Sequence, residues 1–134
     1  MKDIEVPKDH GAVVYCIENT NNHKKYIGST IDFYSRISTH KSQLKRGKHS
    51  IKDMQADYNS GDDFVVSVLY RSDKKDYFER KGDIAINEYK EIINNNAIEN
   101  GYNRASFKPY FLRAQFDKIC EKYNITLEDA IRML

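Results

Sequence analysis

The chain has 134 residues, 40% of them hydrophobic and 31% charged, with a formal net charge of +2. That length supports one domain with a small appendage, and no apolar run approaches the ~20 residues of a membrane span. The opening "MKDIEVPKDHG" lacks the apolar core of a signal peptide. Cys16 and Cys120 lie far apart and outside any metal-ligand spacing, so a cytoplasmic protein with reduced thiols is the expectation.

Residues 1–10 read as a polar arm, with Pro7 marking irregular backbone. "AVVYCIEN" (12–19) is rich in β-formers, "TNNHK" supplies turn chemistry, and "KYIGS" (25–29) reads as the returning strand of a hairpin. Asp32 is placed to cap a helix from Phe33 to about Arg46, which Gly47 stops. On it Phe33, Ile37, His40 and Leu44 recur at three- and four-residue spacing and form one core-facing stripe. Ser50 reads as the cap of a short helix carrying Ile51, Met54 and Tyr58, ended by "NSGDD". "FVVSVLY" (64–70) is a third strand.

Asp73 is expected to cap a long helix over roughly 74–94. At about 100° per residue, Phe78, Gly82, Ala85, Ile86, Tyr89, Ile92 and Ile93 share one face. Gly82 on that face either permits close approach to the sheet or is a local weakness of about 1 kcal/mol. "NNNAIENGYN" (94–103) is a loop with turn residues at its end. Beyond it, "PYFLRAQFDKICEKYN" and "TLEDAIRML" read as two short amphipathic helices, with Thr126 as a cap. They suit packing back on the domain, a DNA-reading module or an oligomer contact. The predicted class is α+β: a three-stranded antiparallel sheet flanked by helices in the order β-β-α-α-β-α, with a helical C-terminal tail.

Several residues carry chemical weight. Tyr15 and Tyr26 fall on the paired strands, close enough to share a site. Arg36 lies about 70° from the centre of the apolar stripe of its helix, and Glu88 about 100° from that of the long helix, between Ile84 and Ile92. Phosphodiester hydrolysis needs charge stabilisation, a ligand for a hard metal ion and a base for water, and Arg, Glu and Tyr supply these. From Phe33 to Lys52 the chain holds Arg36, Lys41, Lys45, Arg46, Lys48 and Lys52, with His40 and His49, and no acid. A basic helix face is by default simply solvated, yet the missing acids suit contact with a phosphate backbone. His40 on the apolar stripe suits either a core histidine or a site residue, and Asn103 either a turn or a site.

The chain resembles the GIY-YIG nucleases, the phage-type homing endonucleases in particular. Val13-Val14-Tyr15 stands for the first motif, with Val13 in place of its glycine, and Tyr26-Ile27-Gly28 for the second. Arg36 matches the helix arginine, His40 follows one turn later, and Glu88 in "NEYKEI" matches the family glutamate, where Glu79 and Glu91 are the competing candidates. "NGYN" (100–103) supplies the terminal motif with Asn103. The resemblance implies a nuclease domain over 11–103 with a 104–134 extension, acting on double-stranded DNA with no membrane or small-molecule cofactor.

It further implies one Mg²⁺ (or Mn²⁺) at Glu88 and general-base work at Tyr15 assisted by Tyr26. Arg36 would neutralise phosphoryl charge, His40 would orient water or Tyr15, and Asn103 would brace the site. Gly28 and Ser29 would let DNA approach, and Lys41, Lys45, Arg46 and Lys48 would follow its backbone. A free-standing phage endonuclease is the implied subtype. A restriction or repair nuclease, or a catalytically silent DNA-binding protein on the same scaffold, are the alternatives.

Overall fold

Alternation along three apolar runs sets the architecture of the computed structural model, which describes residues 4–104 with Glu121, Lys122 and Asn124. Strands β1 (Val13–Asn19), β2 (Lys25–Thr30) and β3 (Phe64–Arg71) form one antiparallel sheet in the order β2-β1-β3. Helices α1 (Phe33–Lys45) and α2 (Lys52–Asn59) follow the hairpin, and α3 (Tyr77–Asn94) follows β3. The central strand is covered on both faces. Val13, Tyr15 and Ile17 pack with Phe33, Ile37, Leu44, Met54 and Tyr58 on one side. Val14 and Cys16 pack with Ile27, Ile84, Ile92 and Ala97 on the other. Two half-cores on one sheet therefore hold this small chain together, and each apolar residue of β1 is committed to one of them by parity.

The first helix forms as its sequence predicts. Asp32 accepts from the Ser35 amide at 3.2 Å, and Phe33, Ile37, His40 and Leu44 are its buried residues. The turn after it closes through Gly47 at φ +69°, a conformation that suits glycine.

Two expected caps are displaced. In α2 the N-cap position belongs to Ile51 and no side chain caps it. The Gln55 side chain reaches back instead, accepting from the His49 amide at 3.0 Å. The long helix is capped by Asp76, not Asp73: its carboxylate accepts from Glu79 N at 3.0 Å, the D-x-x-E spacing of a capping box. The face of α3 also differs from the apolar stripe. Gly82, Ile84, Ala85, Glu88 and Ile92 are buried, whereas Phe78 is 63% and Ile93 49% exposed. The helix is turned by roughly 70° from the expected face at 100° per residue, and the turn carries Glu88 inward.

The 95–104 loop folds back on β2. Tyr102 N donates to Lys25 O at 2.9 Å, and its hydroxyl donates to Asp57 at 2.6 Å. A side chain at Gly101 would meet Ala97 O at 2.5 Å and Lys25 O at 2.6 Å, so only glycine fits there. The amphipathic segments expected after residue 104 lie almost wholly outside the described residues. Glu121 and Lys122 are helical, and Lys122 pairs with Glu79. Among the described residues no helix is long and apolar enough to cross a membrane, and Cys16 is a buried free thiol.

Candidate active site

Hairpin register places Tyr15 opposite Gly28 and Tyr26 opposite Ile17, so both phenols stand on the α1 side of the sheet. A Cβ at Gly28 would lie 2.5 Å from the Tyr15 hydroxyl and 2.7 Å from Cζ. The glycine thus makes room for Tyr15, and the space expected to admit substrate is filled by the protein's own ring. The Tyr15 oxygen lies 2.7 Å from His40 Nε2, and His40 Nδ1 lies 2.8 Å from His49 Nε2. His49 Nδ1 in turn accepts from the Ile51 amide at 3.0 Å. Tyr26 closes the group, its ring centroid 5.3 Å from that of His40 and 6.3 Å from that of Tyr15.

Burial dominates the electrostatics here. It pushes the Tyr15 phenol well above the usual tyrosine range, with Tyr26 adding to it. It pushes Tyr26 up as well, where the charge of Glu88 adds and that of Arg36 opposes. The same desolvation, with His49 and Arg36 beside it, drives His40 down to about 3, and burial and Arg104 lower His49. Both rings are therefore neutral at physiological pH.

Glu88 approaches from the opposite face. Parity sends Tyr26 and Gly28 to the α1 side of β2 and Ile27 and Ser29 to the α3 side, and Ser29 meets Glu88 there. Only 4% of Glu88 is exposed, and burial raises its carboxyl to about 7. The Ser29 hydroxyl and amide, then Arg36, pull the other way. The candidate site thus straddles the outer edge of β2, phenols and imidazoles on one side and a carboxylate on the other. Arg36, on the exposed side of α1, acts electrostatically on Tyr15, Tyr26, His40 and Glu88 alike.

Outward backbone groups of β2 are engaged at three successive edge residues. Lys25 O accepts from Tyr102 N, Ser29 N serves Glu88, and between them Asn103 grips Ile27 twice. Its Oδ1 accepts from Ile27 N at 2.9 Å and its Nδ2 donates to Ile27 O at 2.8 Å. Asn103 was expected among the catalytic groups. Its place is one strand residue away from the tyrosines, holding the edge on which they are built.

Residues 11–103 match the family described as the GIY-YIG catalytic domain. The chain belongs to the GIY-YIG family. It is 35% identical over 94 residues to intron-associated endonuclease 1 of Enterobacteria phage T4, a match covering 69% of this chain and 36% of that protein's length. It therefore spans about a third of that relative. The structure is similar to that of the catalytic domain of the homing endonuclease I-TevI, with TM-score 0.60 and 35% identity over 70% of this chain and 98% of that one. A point mutant of the same catalytic domain matches with TM-score 0.60 and 33% identity over 69% of this chain and 92% of that one.

Within this GIY-YIG domain the valine in the first motif has a packing reason. Val13 is fully buried in the α1 half-core, and Tyr15 keeps its place two residues on. The competing acids are engaged elsewhere: Glu79 pairs with Lys122, and Glu91 accepts from Asn95 at 3.0 Å. Ser29, expected at the DNA, sits with Glu88. The basic run parts company with Arg36. Ser38, Lys41, Ser42, Lys45 and Arg46 line, with Val6, a shallow groove of about 360 Å³. Lys41 and Lys45 stand roughly 140–180° around α1 from Arg36, and Lys48 follows at the helix exit.

His49 is the member of the site that sequence reasoning missed. It follows the α1 stop at Gly47 and shows no helical periodicity with His40. The only signal was its place among the bases behind the second tyrosine motif.

Proposed function

We propose that this GIY-YIG protein is a metal-dependent DNA endonuclease that hydrolyses phosphodiester bonds, and that it serves as a free-standing mobile endonuclease of a phage or its host. The observation that carries this reading is Glu88. A carboxylate 4% exposed and raised to about 7 by burial, coupled electrostatically to two tyrosines and an arginine, is costly to a fold that makes no use of it. That cost argues against a catalytically silent DNA-binding protein. A restriction or repair role on the same scaffold shares the chemistry and differs in biology.

Among the described residues no group of three or more His, Cys, Asp or Glu converges on one point. A single carboxylate at the edge of β2 fits magnesium, which is held by one or two carboxylates together with water and substrate phosphate, and manganese in its place. It does not fit zinc, which takes three or four protein ligands. Glu88 would hold the ion, and the ion would supply Lewis-acid neutralisation of a phosphate oxygen. The chain's own residues do the rest. Arg36 places a permanent charge where phosphoryl oxygens gain negative charge. Tyr15, with Tyr26 against it and His40 behind it, supplies the oxygen that receives the proton of the attacking water once its own proton has passed to the Tyr26 side. Ser29 and Asn103 hold the carboxylate and the strand. Lys41, Lys45, Arg46 and Lys48 add sequence-independent contacts to double-stranded DNA.

A nicking assay on supercoiled plasmid tests the reading. Cleavage is expected with Mg²⁺ or Mn²⁺ and not with chelator. Cleavage in chelator would remove the metal from the account, and binding without cleavage under every metal condition would favour the silent protein.

A further inference from the structure

The direction of the hydrogen bonds behind Tyr15 is set by one group whose role cannot change. A backbone amide only donates. The Ile51 N–H, 3.0 Å from His49 Nδ1, therefore requires that nitrogen to be bare. A neutral imidazole carries one proton, so that of His49 sits on Nε2. That N–H points at His40 Nδ1 at 2.8 Å, which must accept. The single proton of His40 then lies on its own Nε2, 2.7 Å from the Tyr15 oxygen.

We infer that His49 and His40 form a one-way chain of donors, running from the Ile51 amide to the Tyr15 oxygen, that makes Tyr15 an acceptor on its buried side. The hydroxyl hydrogen of Tyr15 must then point away from His40, toward the Tyr26 phenol packed against it. A negative charge forming on Tyr15 is met by a hydrogen bond already in place, while the phenol proton passes to the Tyr26 oxygen and the proton of the half-buried Tyr26 goes to solvent. No proton enters the histidines. His49 is a positioning residue for the base, and the catalytic part of this inference rests on the nuclease reading above.

The surroundings hold the chain in this state. Both rings are buried, with His40 6% and His49 7% exposed. Arg36 and Arg104 are the cations facing them, Tyr26 packs on both, and Gln55 fixes the His49 backbone. Protonating His49 would set two N–H groups against each other at Ile51. Protonating His40 would do the same at His49 Nε2.

Nitrogen-15 NMR of the histidine side chains tests the assignment without reference to activity. At neutral pH both rings of the intact protein are expected as the neutral Nε2–H tautomer. A proton on Nδ1 of either ring overturns the inference while leaving the nuclease reading untouched. Two nearly isosteric variants then separate direction from packing. His49→Gln still accepts from Ile51 and donates to His40, and should keep the His40 tautomer and most of the turnover. His49→Glu accepts from both sides, which requires a proton on His40 Nδ1. It should lower kcat about tenfold or more, a part of the roughly 10²–10⁴ that a general base supplies, with KM for duplex little changed. Equal losses in the two variants, or an unchanged His40 tautomer in His49→Glu, would contradict the chain of donors. Should either variant fail to fold, the tautomers of the unsubstituted protein decide.

Discussion

Glu88 and His40 bend stability with pH in opposite directions. The Glu88 carboxyl is raised in the fold from 4.5 to about 7, so the folded state holds the proton longer and stability falls as pH rises across that window. The difference is worth about 3 kcal/mol at most. His40 is lowered from 6.5 to about 3, so its contribution is present above 6.5 and is lost as pH falls toward 3. Without added metal the two slopes partly cancel. Glu88→Gln should unmask His40: its stability in urea melts should climb from mildly acid to neutral pH, crossing above that of the unsubstituted protein. Parallel pH curves would mean that Glu88 is better solvated than its burial implies. Arg36→Lys bears on the other charge. Lysine keeps the charge and loses the planar fork that matches phosphate oxygens, so kcat should fall strongly with duplex affinity nearly kept. Normal turnover with weaker binding would make Arg36 a phosphate anchor only.

The outer edge of β2 is the element on which the site depends. Asn103→Ala would leave the buried N–H and C=O of Ile27 without partners, at a cost of about 2–6 kcal/mol for two unsatisfied groups. Denaturant unfolding should show that loss, and the Ile27 amide should exchange faster than its neighbours. Unchanged exchange would mean that the Asn103 grip is incidental. Local chemistry explains which elements were legible in the sequence. The hairpin, α1 and its Asp32 cap follow from turn residues, periodicity and a single acid ahead of an apolar stripe. The α3 cap was legible in principle, because Asp76-x-x-Glu79 is a capping pattern, but Asp73 came first. The α3 face was not legible from apolar spacing. The face that packs carries Ile84, Ala85 and Ile92 with Glu88 among them beside Ser29, and no hydrophobic count registers a buried carboxylate. His49 escaped because it meets His40 through a loop, not through a periodic element. Tyr15, Tyr26, Arg36 and Glu88 were found by motif resemblance, since nothing in their spacing alone shows that two faces of a strand edge converge.

At the scale of the molecule, the cations of α1 stand apart from the residues proposed to act at the phosphate. Arg36 faces the site, whereas Lys41 and Lys45 line the groove with Ser38 and Ser42 on the far side of the helix. Replacing Lys41, Lys45 and Lys48 together by Gln should weaken binding to any duplex by a similar factor. The log–log salt slope should fall by about 0.9 for each phosphate that a lysine no longer neutralises. Folding should be little affected, because Phe33, Ile37 and Leu44 carry the packing of α1. An unchanged slope would make the run a solvated face. The claim on which the rest depends is that Glu88 is the metal-holding carboxylate of a working nuclease. The most direct test is the plasmid cleavage rate in Mg²⁺ for Glu88→Ala beside Glu79→Ala and Glu91→Ala, with duplex binding measured on the same preparations. Glu88→Ala alone should lose cleavage while still binding duplex; full activity in that variant, with the loss falling on Glu79→Ala or Glu91→Ala, would contradict the account.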